Sequence, residues 1–420
     1  MKIFHDSRKS EYREPFGAVE ILTKVRLSLR IEYEASEEHV EGVQVRYFRD
    51  EIGEVLRDMD FACTEEEWRS GTVRYVTEDV MPDTGSVVWY YFIISCRGED
   101  GPYTLYYGNN DSCSGGEGAV KTEQPESFQI TVYRHSPVPR WYKDGIVYQI
   151  FPDRFARDEN WRERCEEALV NRSHRKGQKK TIEEDWYRPA YYEKDEEGNV
   201  VSWPFYGGSL KGIQDRLDYL TSLGVSAIYI NPVFEAASNH RYDTADYMNI
   251  DPMLGSEEDF RELAEAAKAK GISIILDGVF SHTGADSIYF DRYGNYGGRG
   301  AYGNPDSEYR SWFEFREDDP VGYRSWWGIR DLPEVNETEP GFRELICGEE
   351  GVLAKWLRAG ARGFRLDVAD ELPDSFIAEI RQRLKKEDAD NLLMGEVWED
   401  ASNKISYGQR RKYFMGDELD

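Results

Sequence analysis

The sequence predicts an α/β protein in two parts, an N-terminal β-sandwich followed by an incomplete (β/α)8 barrel. Three observations predict it. Short alternating apolar runs fill the first third of the chain, strand and helix patterns alternate through the rest, and polar residues stand at the C-terminal ends of successive apolar strands.

Between Gly17 and about Tyr133 the runs Val25–Ile31, Val43–Phe48, Val87–Ser95 and Phe128–Val132 are separated by Gly, Asp and Asn turns. That spacing is the pattern of an all-β sandwich, assigned to residues 1–134. Pro137 and Pro139 remove backbone donors and stiffen residues 135–140 into a linker, and residues 141–420 form the second domain.

The second domain opens with the apolar run Gly145–Phe151. A polar insertion from about Ala156 to Trp203 is expected to be a long loop. A helix then presents Ile213, Leu217 and Leu220, closes at Gly224 and leads into the strand Ala227–Ile230.

Ser256 can cap a helix whose Phe260, Leu263, Ala264 and Ala267 fall on one face. Gly271 ends it before the strand Ile272–Leu276. A third unit runs through Leu353, Trp356 and Leu357 to Gly360 and the strand Gly363–Leu366. A fourth carries Ile377, Ile380 and Leu384 before Leu392–Met394.

Alternation of this kind indicates a parallel sheet covered by helices, with no hairpins. Five strands can be counted, five to six at most, where a closed barrel has eight. Their C-terminal ends carry Asn231, Asp277, Asp367 and Glu396, facing the mouth where such barrels do chemistry.

Composition narrows the partners. A formal charge of −28 gives a field that repels phosphate backbones and anionic lipid, which argues against nucleic acid and membrane and leaves a neutral ligand such as a sugar unaffected. The five cysteines (Cys63, Cys96, Cys113, Cys165, Cys347) are scattered, in no metal-ligand spacing, and read as thiols of a reducing compartment. No signal-peptide or membrane-spanning run is visible, so a cytoplasmic location is expected.

In Gly363–Glu371 the alternation of a strand puts Arg365 and Asp367 on one face. The guanidinium is expected to hold Asp367 ionised, as attack on an anomeric carbon requires. A purely structural Arg–Asp pair also fits this segment alone. In Leu393–Trp398, Glu396 ends an apolar strand near an indole, a setting expected to raise its pKa and suit it to protonating a leaving oxygen. On adjacent strands the two carboxyls could approach the roughly 5–5.5 Å of retaining glycosidases. Asp277 ends the preceding strand with His282 just beyond, and Tyr242 lies in a polar, aromatic segment where its ring could stack on glucose.

These segments together resemble the α-amylase superfamily, glycoside hydrolase family 13. Asp277–His282 resembles its first conserved region, Gly363–Asp367 its second and Gly395–Trp398 its third. The resemblance implies Asp367 as nucleophile and Glu396 as acid/base, with Tyr242, Asp277, His282 and Arg365 shaping the first sugar subsite. The stretch from Trp326 to Asn336 resembles the neopullulanase, cyclomaltodextrinase and maltogenic amylase relatives, which adds Trp327 and Glu371 as substrate-binding candidates.

It further implies a protruding domain B at about residues 283–340. The substrate would be an α-glucan oligosaccharide such as a maltodextrin, cyclodextrin or pullulan. In such relatives the sandwich helps build the cleft, often through a homodimer of the full-length protein.

Several departures qualify the match. Ser281 and Asp370 each stand where Asn is usual, and Ser209 replaces the Asp of a Gly-Gly-Asp segment, which weakens an N-proximal calcium site. No cofactor is required for the chemistry, and calcium is the one metal the resemblance raises. The fourth conserved region, with its His-Asp pair, does not occur before Asp420, and Phe414–Asp420 resembles the lead-in to a sixth strand. Residues 1–420 are therefore expected to be an N-terminal part with incomplete transition-state stabilisation. The alternative is a non-catalytic carbohydrate-binding or assembly protein on the same scaffold, which intact Asp367 and Glu396 argue against.

Overall fold

The computed structural model describes residues 1–33 and 39–420. Two compact units emerge, one formed by Met1–Ser136 with Asp400–Asp417 and the other by Pro137–Glu399 with Glu418–Asp420.

The first unit contains a five-stranded and a seven-stranded sheet, almost wholly antiparallel. The strands Lys24–Glu32 and Thr72–Val80 pair along their full length in the smaller sheet. In the larger sheet Ser86–Gly98 is the spine, pairing with His39–Arg49, Gly101–Gly108 and Phe128–Tyr133. Alternation buries Leu27, Leu29 and Ile31 from one sheet with Val45, Phe92 and Ile130 from the other in a single apolar cluster.

Residues 400–417, assigned from sequence to the catalytic domain, belong to this first unit. Arg410 pairs with Asp50 at 2.6 Å, Asn403 donates to Gln129 at 2.9 Å, and the Arg134 amide donates to the Met415 carbonyl at 3.0 Å. These partners lie some hundreds of residues away in sequence, so local pattern carries no trace of them.

The second unit is built on five parallel strands: β1 (Val147–Ile150), β2 (Ala227–Ile230), β3 (Ser273–Gly278), β4 (Gly363–Leu366) and β5 (Leu392–Gly395). They lie side by side in chain order, each paired with the next. β2 and β4 are buried along their whole length, as strands covered on both faces must be.

Helices fill the crossovers. Between β1 and β2 the expected single helix is two short ones, α1 (Leu210–Asp215) and α2 (Leu217–Ser222), meeting at Arg216. α3 (Glu257–Ala269) opens with a reciprocal cap between Ser256 and Asp259 and buries Phe260, Leu263, Ala264 and Ala267. The β3–β4 crossover carries α4 (Pro340–Cys347) and α5 (Val352–Arg358), and α6 (Asp374–Glu387) joins β4 to β5. No helix among the described residues is long and apolar enough to cross a membrane.

Two expectations are corrected here. The insertion after β1 contains a helix (Trp161–Asn171) and a small sheet of Lys179–Ile182, Glu193–Lys194 and Val200–Phe205, not only loop. Its helix buries only Cys165 and Ala168, so no apolar stripe announces it. Hairpins also occur in this half: Phe234–Ala236 pairs antiparallel with Thr244–Ile250 and presents Tyr242 on the connecting turn.

Candidate active site

The C-terminal ends of β2 to β5 converge on one guanidinium. Asp277 and Arg365 are direct register partners across β3 and β4. Arg365 Nη1 donates to Asp277 Oδ1 at 2.9 Å and to Asp367 Oδ1 at 2.8 Å, while Nη2 pairs with Glu396 Oε2 at 2.7 Å. One cation thus serves three carboxylates.

The backbone fixes this arrangement. Asp367 N donates to Gly278 O, and Glu396 N donates to Leu366 O at 3.0 Å, extending the parallel ladder one residue beyond each strand. Val368 then turns into the left-handed region, φ +39°, and its amide donates to Glu396 Oε2 at 2.9 Å. A β-branched residue disfavours that conformation, at a cost of order 1–3 kcal/mol, so the ladder, the carboxylate bond and the buried Val368 side chain must together hold it.

The electrostatics differ from expectation. Burial raises the Asp367 pKa above the ordinary carboxylate range, the nearby Asp277 adds to the rise and Glu396 contributes less, while Arg365 opposes it. The guanidinium is shared, so it does not hold Asp367 fully ionised. Burial raises Asp277 as well, against Arg365 and the hydroxyls of Tyr229 and Tyr242. The apolar surrounding expected for Glu396 is also absent: its carboxylate is engaged by Arg365 and Val368, and the Trp398 indole packs edge-on against Trp327 at 5.4 Å.

A cleft of about 520 Å³ opens over this cluster, and Tyr242, His282, Arg365, Asp367 and Glu396 all line it. Tyr242 is fixed by its hydroxyl, which donates to Asp277 Oδ2 at 3.0 Å and accepts from Asn231 Nδ2 at 2.8 Å. His282 lies fully buried, and desolvation lowers its pKa to about 3, so the imidazole is neutral. Its Nδ1 meets Ser281 Oγ at 2.9 Å, while Nε2 is buried with no hydrogen-bond partner within the protein. Asp277 sits beneath the floor behind Arg365 and Tyr242. Trp327 and Glu371 stand outside the cleft lining and bond to each other, indole Nε1 to Oε1 at 3.2 Å.

Sequence reasoning missed three contributors. Tyr229 donates to Asp277; it faces the same side as Asn231 two residues on in β2, and that alternation was the available signal. Trp203 and Gln178 line the cleft from the insertion after β1, where no periodicity marks them.

The loop bearing Ser209 does not fit a calcium ion. Ser209 Oγ donates to Asp158 at 2.6 Å and accepts from Gly212 N as the cap of α1. Arg157 donates to three main-chain carbonyls, Tyr206 at 2.6 Å, Glu183 at 2.7 Å and Glu184 at 3.1 Å, and its guanidinium lies 3.7 Å over the Trp161 ring. The oxygens a hard cation would need are already taken by protein donors.

The family profile described as alpha amylase, catalytic domain, matches residues 149–415. An amylopullulanase of Thermoanaerobacter thermohydrosulfuricus is 35% identical over 95% of this chain and 28% of its own length. Neopullulanase 2 of Thermoactinomyces vulgaris is 34% identical over 73% of this chain and 47% of its own length. The chain therefore spans less than half of these relatives. In fold it is similar to the type III pullulan hydrolase from Thermococcus kodakarensis, with TM-score 0.55 and 24% identity over 100% of this chain and 64% of that one.

Proposed function

The chain belongs to the α-amylase catalytic-domain family, and we propose that the protein hydrolyses α-glucosidic bonds of maltodextrins, cyclodextrins or pullulan by double displacement with retention. The observation that carries this reading is the placement of Asp367 and Glu396 at the ends of adjacent strands, one on each terminal nitrogen of Arg365, in one cleft.

In the first step Asp367 attacks the anomeric carbon and forms a glycosyl ester as the bond to the leaving oxygen breaks. Glu396 gives that oxygen its proton. In the second step Glu396, now a carboxylate, takes a proton from water, whose oxygen attacks the anomeric carbon as its bond to Asp367 breaks, releasing the Asp367 carboxylate. Burial and the neighbouring carboxylates raise the Asp367 pKa, while the reaction needs Asp367 as the carboxylate and a proton on Glu396.

Arg365 orients both carboxylates, Tyr242 offers its ring to the sugar face, and neutral His282 offers Nε2 to a sugar hydroxyl. In this reading β1 to β5 are the first strands of a (β/α)8 barrel, residues 1–134 a sandwich, and residues 283–340 domain B.

The test is turnover of maltotriose, β-cyclodextrin and pullulan by the complete gene product and by its Asp367→Asn variant. Release of reducing sugar by the wild type and its loss in the variant are expected. Equal release by both would refute the assignment.

A further inference from the structure

Asn231 stands one residue beyond β2, buried, and is not among the residues that line the cleft. Its backbone N–H donates to the Ile150 carbonyl at 2.9 Å, which extends the pairing of β1 with β2 by one residue and fixes its main chain. Period two puts its side chain on the same face as Tyr229, whose hydroxyl donates to Asp277. β2 thus sends two side chains toward one carboxylate, Tyr229 directly and Asn231 by way of Tyr242.

Four groups form a chain of hydrogen bonds. Gln149 Nε2 donates to Asn231 Oδ1 at 3.0 Å, Asn231 Nδ2 donates to the Tyr242 hydroxyl at 2.8 Å, and that hydroxyl donates to Asp277 Oδ2 at 3.0 Å. Asp277, paired with Arg365, is a carboxylate that only accepts, so the direction of every bond is dictated from that end. Tyr242 gives its one proton to Asp277 and therefore needs a donor on its other side. An amide whose oxygen is held by Gln149 presents that donor.

The ring needs this hold because its backbone supplies little. Tyr242 lies on the turn between Phe234–Ala236 and Thr244–Ile250, outside the paired residues and next to Arg241 at φ +62°. Asp243 closes the turn by accepting from the Ala237 and Ser238 amides at 3.2 and 3.0 Å. That closure fixes where the Tyr242 side chain starts, and the bonds of its hydroxyl fix where it ends, with His240 stacked on the ring at 6.0 Å.

We propose that Asn231 is a positioning residue of the glycosidase reaction, acting through the Tyr242 hydroxyl to hold that ring against the sugar whose anomeric carbon Asp367 attacks. This deepens the glycosidase reading and rests on it. An apolar residue of similar size at position 231 leaves the hydroxyl one partner in place of two and frees the ring to turn away from the sugar face. A ring without the hydroxyl leaves Asn231 nothing to hold. The two losses are one loss, and they do not add.

The test is a double-mutant cycle in the complete gene product, read as kcat/KM on maltotriose. Asn231→Leu and Tyr242→Phe are each expected to lower it about 10-fold, and the double variant to lie within about 2-fold of Tyr242→Phe. Thermal melts check that each variant folds, and Asn231→Ser, too short to reach the hydroxyl, takes the place of Asn231→Leu should that variant not fold. A role in folding alone does not depend on the hydroxyl and makes the losses multiply. Losses that multiply to about 100-fold in the folded double variant, or either single variant cleaving at the wild-type rate, would overturn the positioning role. No cleavage by the wild type would overturn the glycosidase reading itself.

Discussion

Asp367 and Glu396 hang on opposite terminal nitrogens of the Arg365 guanidinium, at 2.8 and 2.7 Å. A planar fork can fix two carboxylates at once and still reach Asp277. A lysine ammonium is a point charge and cannot hold that geometry. Arg365→Lys is therefore expected to lower kcat/KM by about 10²-fold or more, with KM changing less than kcat. Steady-state kinetics on maltotriose would check it.

The raised Asp367 pKa has a consequence for stability. The folded protein binds the proton more tightly than the unfolded chain, whose carboxyl titrates near 3.9. The stabilising contribution is thus complete below the unfolded value and is lost as pH rises through the folded one. Asp367→Asn removes the charge, so it is expected to raise Tm by about 2–4 °C at pH 8 and to change it little at pH 4. Calorimetry at both pH values reads this directly.

Acid assistance by Glu396 matters only when the leaving group needs a proton. Glu396→Gln is expected to lower kcat/KM on maltotriose about 10²- to 10⁴-fold. On α-maltosyl fluoride, whose leaving group departs unprotonated, formation of the glycosyl enzyme should fall far less. Rapid-quench measurement of fluoride release separates the two cases.

Arg157 holds three carbonyls where a cation would otherwise gather oxygens. Thermal unfolding is expected to be the same in EDTA and in calcium, within about 1 °C. Arg157→Gln should lower Tm by several degrees, about 1–3 kcal/mol of unpaired carbonyls and lost contact with Trp161, and calcium should not restore it.

Asp367, Glu396 and Arg365 were legible because each sits on or just past a short apolar run, where period two fixes the face and the end of the run fixes the position. Asp277 was legible for the same reason, but its bonds to Arg365 and Tyr229 span 88 and 48 residues and follow only from strand order. The sharing of one guanidinium by three carboxylates, which leaves burial to raise the Asp367 pKa, is likewise a matter of strand neighbours.

The insertion after β1 was illegible as structure because it buries little apolar surface. Its strand Lys179–Ile182 has no fully buried residue, and what holds it is pairing with Val200–Phe205 and the ion pair of Lys180 with Asp251 at 3.0 Å. Gln178 and Trp203 could not be chosen from such a segment. Residues 400–417 failed differently, because their pattern resembles the approach to another strand while their bonds go to Asp50, Gln129 and Arg134.

The central claim is retaining cleavage with Asp367 as nucleophile, and the anomeric configuration of the first product tests it most directly. Proton NMR of maltotriose hydrolysis by the complete gene product, recorded before mutarotation, is predicted to show the α-anomer accumulating first and no turnover by Asp367→Asn. Initial accumulation of the β-anomer, or turnover by Asp367→Asn at the wild-type rate, would contradict it.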